Sequence, residues 1–200
     1  MKKTNKSQSL IVCLVFGVIL GIISKYLDTI SITDGKKWDT VLSYFGDLFT
    51  RVGIWIFIAT IIATFSKTKI SAAGNTFIFF IGVLISYYLY STYLFGFFPT
   101  RYFISWFIIA IISPLLALIA WEAKNNVRLS YILPALPMGI LLKYSIGIGL
   151  FYIYLNYIEE LIMYLIICIV YYKQPKQMVA IVILSIIIAF FVKQIDLSPL

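Results

Sequence analysis

The sequence predicts an all-α fold, a polytopic bundle of membrane-spanning helices, and three observations carry that prediction. Mean hydropathy is +1.00 and only 12% of the 200 residues are charged, about half the share found in soluble domains. The apolar residues come in runs of about twenty, the length a helix needs to cross a hydrocarbon core of about 30 Å. The basic residues fall in the short gaps between those runs. No polar stretch is long enough to fold separately, so residues 1–200 read as a single integral membrane domain.

Residues 1–7, MKKTNKS, are a basic cap, and 8–27 form the first span. A cleaved signal peptide would end in a small-residue site, and none follows the run, so the first helix reads as uncleaved. Residues 28–49 are the longest polar stretch, an outer loop holding Asp28, Asp34, Asp39 and Asp47 with a turn at Asp34-Gly35. Within it, WDTVLSYFGDLF is expected to form a short interfacial amphipathic helix. Further spans are expected at about 50–66, 72–95, 102–122, 129–151, 153–172 and 177–195, making seven. The split of 129–172 rests on length, because one straight helix there would measure roughly 66 Å. One span plus re-entrant and interfacial pieces is the other option. Pro134 and Pro137 lie near the start of this region, and Gly147 and Gly149 loosen its middle.

Charge distribution supplies the orientation. With the N-terminus inside, the inner segments collect Lys2, Lys3, Lys6, Lys67, Lys69, Lys124, Arg128, Lys173 and Lys176 against Glu122, while the outer segments balance seven acids with seven bases. That is the positive-inside pattern. It places the protein in the cytoplasmic (inner) membrane of a cell, with the C-terminus outside. A six-span version would bring the C-terminus inside. The net charge of +8 belongs to these loops, so nucleic acid is not an expected partner.

Four constellations could carry function. In KYSIGIGLFYIYLNYIEE, residues 143–160, Lys143 and Glu160 fall at similar depth on adjacent antiparallel helices, with Tyr144, Asn156 and Glu159 nearby. Intramembrane charges cost roughly 2.5–3.5 kcal/mol each on insertion scales, which makes this stretch a candidate ligand site. A register-fixing ion pair, or acids marking the water boundary, would explain it equally well. The outer loop could be a lid, but its aspartates lack an EF-hand pattern and neighbour Lys36 and Lys37, so no metal is expected. Aromatics including Tyr90, Tyr93 and Trp106 crowd the outer end of spans three and four, as an interfacial belt or the lining for a planar ligand. Cys13, Gly17 and Gly21 on the first span, and Ala59 and Ala63 on the second, recur every four residues and permit close helix approach, within the chain or to a partner subunit.

The chain has no histidine, no CxxC, no Walker A loop, no GxSxG and no HExxH, which removes the usual zinc and imidazole chemistries. No catalytic residue and no cofactor are expected, and the protein is not read as an enzyme.

The basic N-terminus, the first span with Gly17 and Gly21, the long first loop and the compact spans resemble the substrate-capture components of energy-coupling-factor importers for vitamins. That family carries Ala-xxx-Ala where this chain has Gly-xxx-Gly, and six spans. The resemblance implies that the first helix docks on a partner and the first loop closes an outer pocket. GIISKYLD, VGIWIFIATIIATFSKTKISAAGN and SPLLALIAW are also similar to an uncharacterised family of small bacterial multi-pass proteins. The expected function is therefore a small-molecule transporter subunit with an outward-facing pocket. A non-transporting accessory or immunity protein is the alternative, and an intramembrane enzyme comes third.

Overall fold

In lipid every backbone N–H and C=O must be satisfied within the protein, and long apolar runs meet that demand as helices. The computed structural model describes residues 6–30, 37–148 and 153–194. Its helices are α1 (Lys6–Asp28), α2 (Lys37–Thr50), α3 (Val52–Thr64), α4 (Lys69–Phe95), α5 (Thr100–Asn125), α6 (Ala135–Ser145), α7 (Ile158–Tyr171) and α8 (Pro175–Gln194). A 3-10 turn at Leu129–Tyr131 precedes α6, and two short strands, β1 (Ile146–Ile148) and β2 (Ile153–Leu155), lie between α6 and α7. Local chemistry sets several ends. The Thr68 hydroxyl accepts from Ser71 N at 3.1 Å and caps α4, and Gly96, at φ 71°, ends that helix in the left-handed conformation. Pro175 opens α8, where its missing N–H costs nothing.

Four helices, α1, α4, α5 and α8, are long and apolar enough to cross a membrane, and the bent pair of α2 and α3 makes a fifth if it counts as one span. This replaces the seven spans expected and the six-span alternative. The expected span 50–66 yields only the 13 residues of α3, about 20 Å of helix. The region 129–172 forms the 11 residues of α6 and the 14 of α7 around a β-hairpin rather than two full spans. The physical reason lies in the sequence. Pro134 delays the start of α6. Beyond Ser145, alternating glycines and a β-branched and aromatic run favour extended backbone. The segment WDTVLSYFGDLF, expected as an amphipathic helix, is helical, as α2; residues 31–36, Asp34 among them, lie outside the described residues.

The chain divides into two units, Met1–Val52 with Ser66–Leu116, and Gly53–Phe65 with Ala117–Leu200. In the first, α1 packs along α4. Leu10 meets Gly74, Gly17 meets Phe79 and Gly21 meets Ser86, so the two helices run parallel. The chain between them must therefore return to its starting end. The contact is close because glycines line both sides. A methyl group at Gly17 would overlap the Phe79 carbonyl oxygen, and one at Gly82 would lie 2.7 Å from the Leu14 carbonyl oxygen. Phe16 and Phe79 pack beside this seam, ring centroids 5.6 Å apart. Gly46 brings α2 against the last turn of α1, where an added methyl would lie 2.9 Å from Leu27 O. The small-residue stripe of α1 thus works inside the chain, with Gly17 and Gly21 buried on α4 and Cys13 half-buried.

In the second unit, two buried polar side chains join one end. Tyr171, at the end of α7, shares a hydrogen bond with Thr64 Oγ1 at 3.0 Å and donates to Ala120 O at 3.1 Å, joining α3, α5 and α7. Gln177, fully buried in the first turn of α8, donates to Ser130 O at 2.8 Å and Tyr171 O at 3.1 Å, and accepts from Lys173 N at 3.0 Å. From this end α6 and α8 run side by side, with Gly139 against Ile188 and Ser185. Helix α7 runs opposite to α8, with the Tyr164 and Ser185 hydroxyls 3.0 Å apart. On α3, Ala63 is fully buried and Ala59 half-buried.

The α1–α4 seam predicts a contrast between glycines. Gly17→Val and Gly82→Val should each destabilise the protein by several kcal/mol through overpacking, on the order of 3 kcal/mol. Gly74→Ala, whose methyl would sit 3.5 Å from Leu10 Cδ2, should stay within about 1 kcal/mol of wild type. Thermal unfolding in detergent checks both; equal tolerance at all three positions would contradict the seam.

Candidate functional site

The end of the second unit opposite the Tyr171 and Gln177 knot is built by the hairpin. Its strands pair antiparallel with Ile146 opposite Leu155, Gly147 opposite Tyr154 and Ile148 opposite Ile153. Gly147 is needed there because the Tyr154 ring lies over it, in the space a side chain would occupy. At the base of the hairpin the Ser145 carbonyl accepts from Asn156 N at 2.8 Å and from Tyr157 N at 3.3 Å. Those two bonds pin the start of α7 to the end of α6.

Glu160 follows three residues after Tyr157, in the first turn of α7, and is 0% exposed. The amino-terminal end of a helix stabilises a carboxylate through its unpaired N–H groups. Gly53 of α3 gives the side chain its space, since an added methyl there would lie 2.9 Å from Glu160 Cγ and 3.1 Å from Oε1. Tyr144 lies in the last turn of α6, and burial, with the charge of Glu160, pushes its phenol pKa up. The Lys143 ammonium lies over the Tyr144 ring, 4.3 Å from its centroid. A carboxylate, an aromatic face and an ammonium therefore share the α6–α7 end.

Lys143 and Glu160 sit on packed neighbouring helices, and the Lys143 ammonium lies over the Tyr144 ring. Lys143 and Tyr144 are half-buried, Glu159 half-buried and Asn156 exposed. Asn156 contributes its backbone N–H to the hairpin base.

Tyr90, Tyr93 and Trp106 belong to the first unit. Tyr93 is exposed, and Tyr90 and Trp106 are half-buried. The enclosed aromatic of this region is Tyr88, at right angles to Phe103 with centroids 5.2 Å apart and near Phe98 at 5.8 Å. These rings pack the turn between α4 and α5.

Sequence reasoning passed over a second charged cluster, at the end of α1. Lys25 is buried, its Nζ 2.8 Å from Asp28 Oδ2, and Tyr87 donates to the same oxygen at 3.0 Å. The ammonium also lies 5.0 Å from the Tyr87 ring centroid and 4.8 Å from that of Phe95. The i,i+3 spacing of Lys25 and Asp28 in KYLD was the available signal. Asn75, also buried, reaches the Ser9, Ser66 and Ser71 hydroxyls at 2.8, 3.1 and 3.2 Å. Among the described residues, no three His, Cys, Asp or Glu side chains converge as a metal site.

The fit of Glu160 against Gly53 predicts a non-additive pair. Gly53→Val should displace the carboxylate and destabilise the protein by about 1–3 kcal/mol. In the Glu160→Ala background the same change should cost at least 1 kcal/mol less, since contacting residues couple by about 0.5–3 kcal/mol. A double-mutant cycle on thermal unfolding measures this, and strict additivity would remove Gly53 from the site.

Comparison with models of known protein families, with curated proteins and with solved structures finds no match for this chain.

Proposed function

We propose that the protein is a small-molecule-binding component of a membrane transport system, with its site at the α6–α7 end of the second unit. The observation that carries this reading is Glu160, a wholly buried acid in the first turn of α7, with Gly53 making its space. Ionisable groups held at such cost inside a membrane bundle are the usual marks of substrate and ion pathways. The importer resemblance implied that the first helix docks on a partner; with Gly17 and Gly21 packed on α4, the glycine stripe no longer argues for that partner.

We place the protein in the cytoplasmic membrane with its N-terminus inside. Lys124, Arg128, Lys173 and Lys176 support this, because the Tyr171 and Gln177 hydrogen bonds draw the segments that carry them to one end of the second unit. Segments rich in Lys and Arg face the cytoplasm. The α6–α7 end then faces outward whether or not these two short helices cross the full bilayer.

Two experiments test the reading. In a Cys13→Ser/Cys168→Ser background, a membrane-impermeant maleimide applied to intact cells should label Asn156→Cys and spare Asn126→Cys; the reverse pattern would overturn the orientation. In nanodiscs, native mass spectrometry against a panel of cationic, neutral and anionic metabolites should find a bound class. Glu160→Gln should weaken that binding about tenfold or more, the worth of one charge-assisted contact, with unchanged thermal unfolding. Binding to no class would sink the transport reading.

A further inference from the structure

We propose that the end of the second unit knotted by Tyr171 and Gln177 holds the phosphate of an anionic phospholipid, bound by Arg128, Lys173 and Lys176. This end lies opposite the α6–α7 site, and the inference does not depend on what that site binds. All three side chains are exposed, and among the described residues none of them makes a hydrogen bond, ion pair or ring contact within the chain. Lys124, at the same end, differs: it is half-buried, and its ammonium lies 4.1 Å from the centroid of the Phe65 ring. The segments that meet here, residues 120–131 and 171–178, contain one acid, Glu122, which has a contact of its own within the chain.

One fully buried side chain brings the three cations together. Gln177 donates to Ser130 O at 2.8 Å, two residues from Arg128, and accepts from Lys173 N at 3.0 Å. Lys176 directly precedes Gln177 in the chain. On the other side of Arg128, Asn126 Oδ1 accepts from Arg128 N at 3.0 Å and from Leu129 N at 3.3 Å, so the turn that carries Arg128 is held at both ends. The Gln174 side chain adds a bond to the Tyr131 hydroxyl. The three positively charged residues are thus set side by side by backbone and buried hydrogen bonds, an arrangement that self-repulsion opposes and a bound anion relieves.

The apolar surface beside the charges selects a lipid over a soluble phosphate. Val127 is 75% and Ile132 58% exposed, close to Arg128 on either side in the chain, and Tyr172, 55% exposed, precedes Lys173. Exposed apolar and tyrosine side chains next to cations are the pattern of the headgroup boundary, where the cation meets phosphate and the apolar group meets the upper acyl chain. A soluble anion would use the charges and leave these side chains bare.

Native mass spectrometry of the full chain in detergent, titrated with dioleoyl phosphatidylglycerol, tests this, with dioleoyl phosphatidylcholine as the zwitterionic control and glycerol phosphate as a soluble competitor. Phosphatidylglycerol should bind about tenfold or more tightly than phosphatidylcholine, and glycerol phosphate should not displace it. Arg128→Gln, Lys173→Gln and Lys176→Gln should each weaken phosphatidylglycerol about fivefold, and the triple variant should bind the two lipids alike. Lys124→Gln, whose ammonium is engaged by Phe65, should stay within about twofold of wild type. Gln177→Ala keeps every charge but releases the Arg128 turn from α8, and should weaken binding about tenfold. The three cations are exposed, so their variants carry the test even if Gln177→Ala does not fold. A preference for phosphatidylglycerol that survives in the triple variant would overturn the inference, as would a Lys124→Gln loss equal to that of Lys173→Gln, which would reduce the site to net charge. Equal binding of both lipids by the wild type would overturn it in favour of an acidic protein as occupant, and displacement by glycerol phosphate in favour of a soluble phosphate.

Discussion

The second unit depends on two polar side chains buried among apolar ones, Tyr171 and Gln177. Between them they satisfy carbonyls from α5, the turn before α6 and α7, and one backbone N–H between α7 and α8. Carbonyls at helix ends and turns have no intrahelical partner, and leaving one buried and unpaired costs about 1–3 kcal/mol. In hydrocarbon no water repairs the loss. These two residues therefore fix how α3, α5, α7 and α8 meet at this end, which packing between apolar faces, having little directional preference, does not.

With that end fixed, the opposite end inherits its geometry. Helix α6 has 11 residues and α7 has 14, so they reach roughly 17 and 21 Å from the knot. The hairpin then turns the chain at that height. A two-stranded sheet has outer edges whose N–H and C=O groups need water or protein, so it belongs at the membrane surface or under protein cover. Glu160 lies just beneath it, in the first turn of α7, where the chain changes from a polar edge to a buried helix. The site is thus a boundary feature. Its carboxylate is enclosed, one helical turn from the hairpin base.

The long helices were legible because a run of about twenty apolar residues has few other outcomes in a membrane. The α2 segment was legible from the alternation of Trp38, Val41, Phe45 and Leu48 with polar neighbours, and the α1 seam from its glycine spacing. The region 129–172 was not. In IGIGLFYIYL nearly every residue is apolar, so neither helical nor strand periodicity survives, and length alone suggested two spans. What decides the outcome there is Pro134 ahead of α6 and the glycine, β-branched and aromatic run beyond Ser145, a local signal that the uniform apolar composition masks. For Lys143 and Glu160, counting puts the two residues on neighbouring helices, whereas the Tyr144 ring under the Lys143 ammonium is a matter of rotamers rather than of spacing. Lys25 was hidden for a related reason, since its aromatic neighbours Tyr87 and Phe95 lie far along the chain.

The parallel packing of α1 on α4 sets an order of events during synthesis. The glycine face of α1 has as its partner a helix that emerges only after α2 and α3 have been made. At elongation rates of about 5–20 residues per second, that wait is on the order of several seconds. Throughout it, the groove at Gly17 and Gly21 is an open, close-packing surface in the bilayer. It is the part of the molecule most exposed to a wrong companion, and the insertion of α4 is the step that closes it.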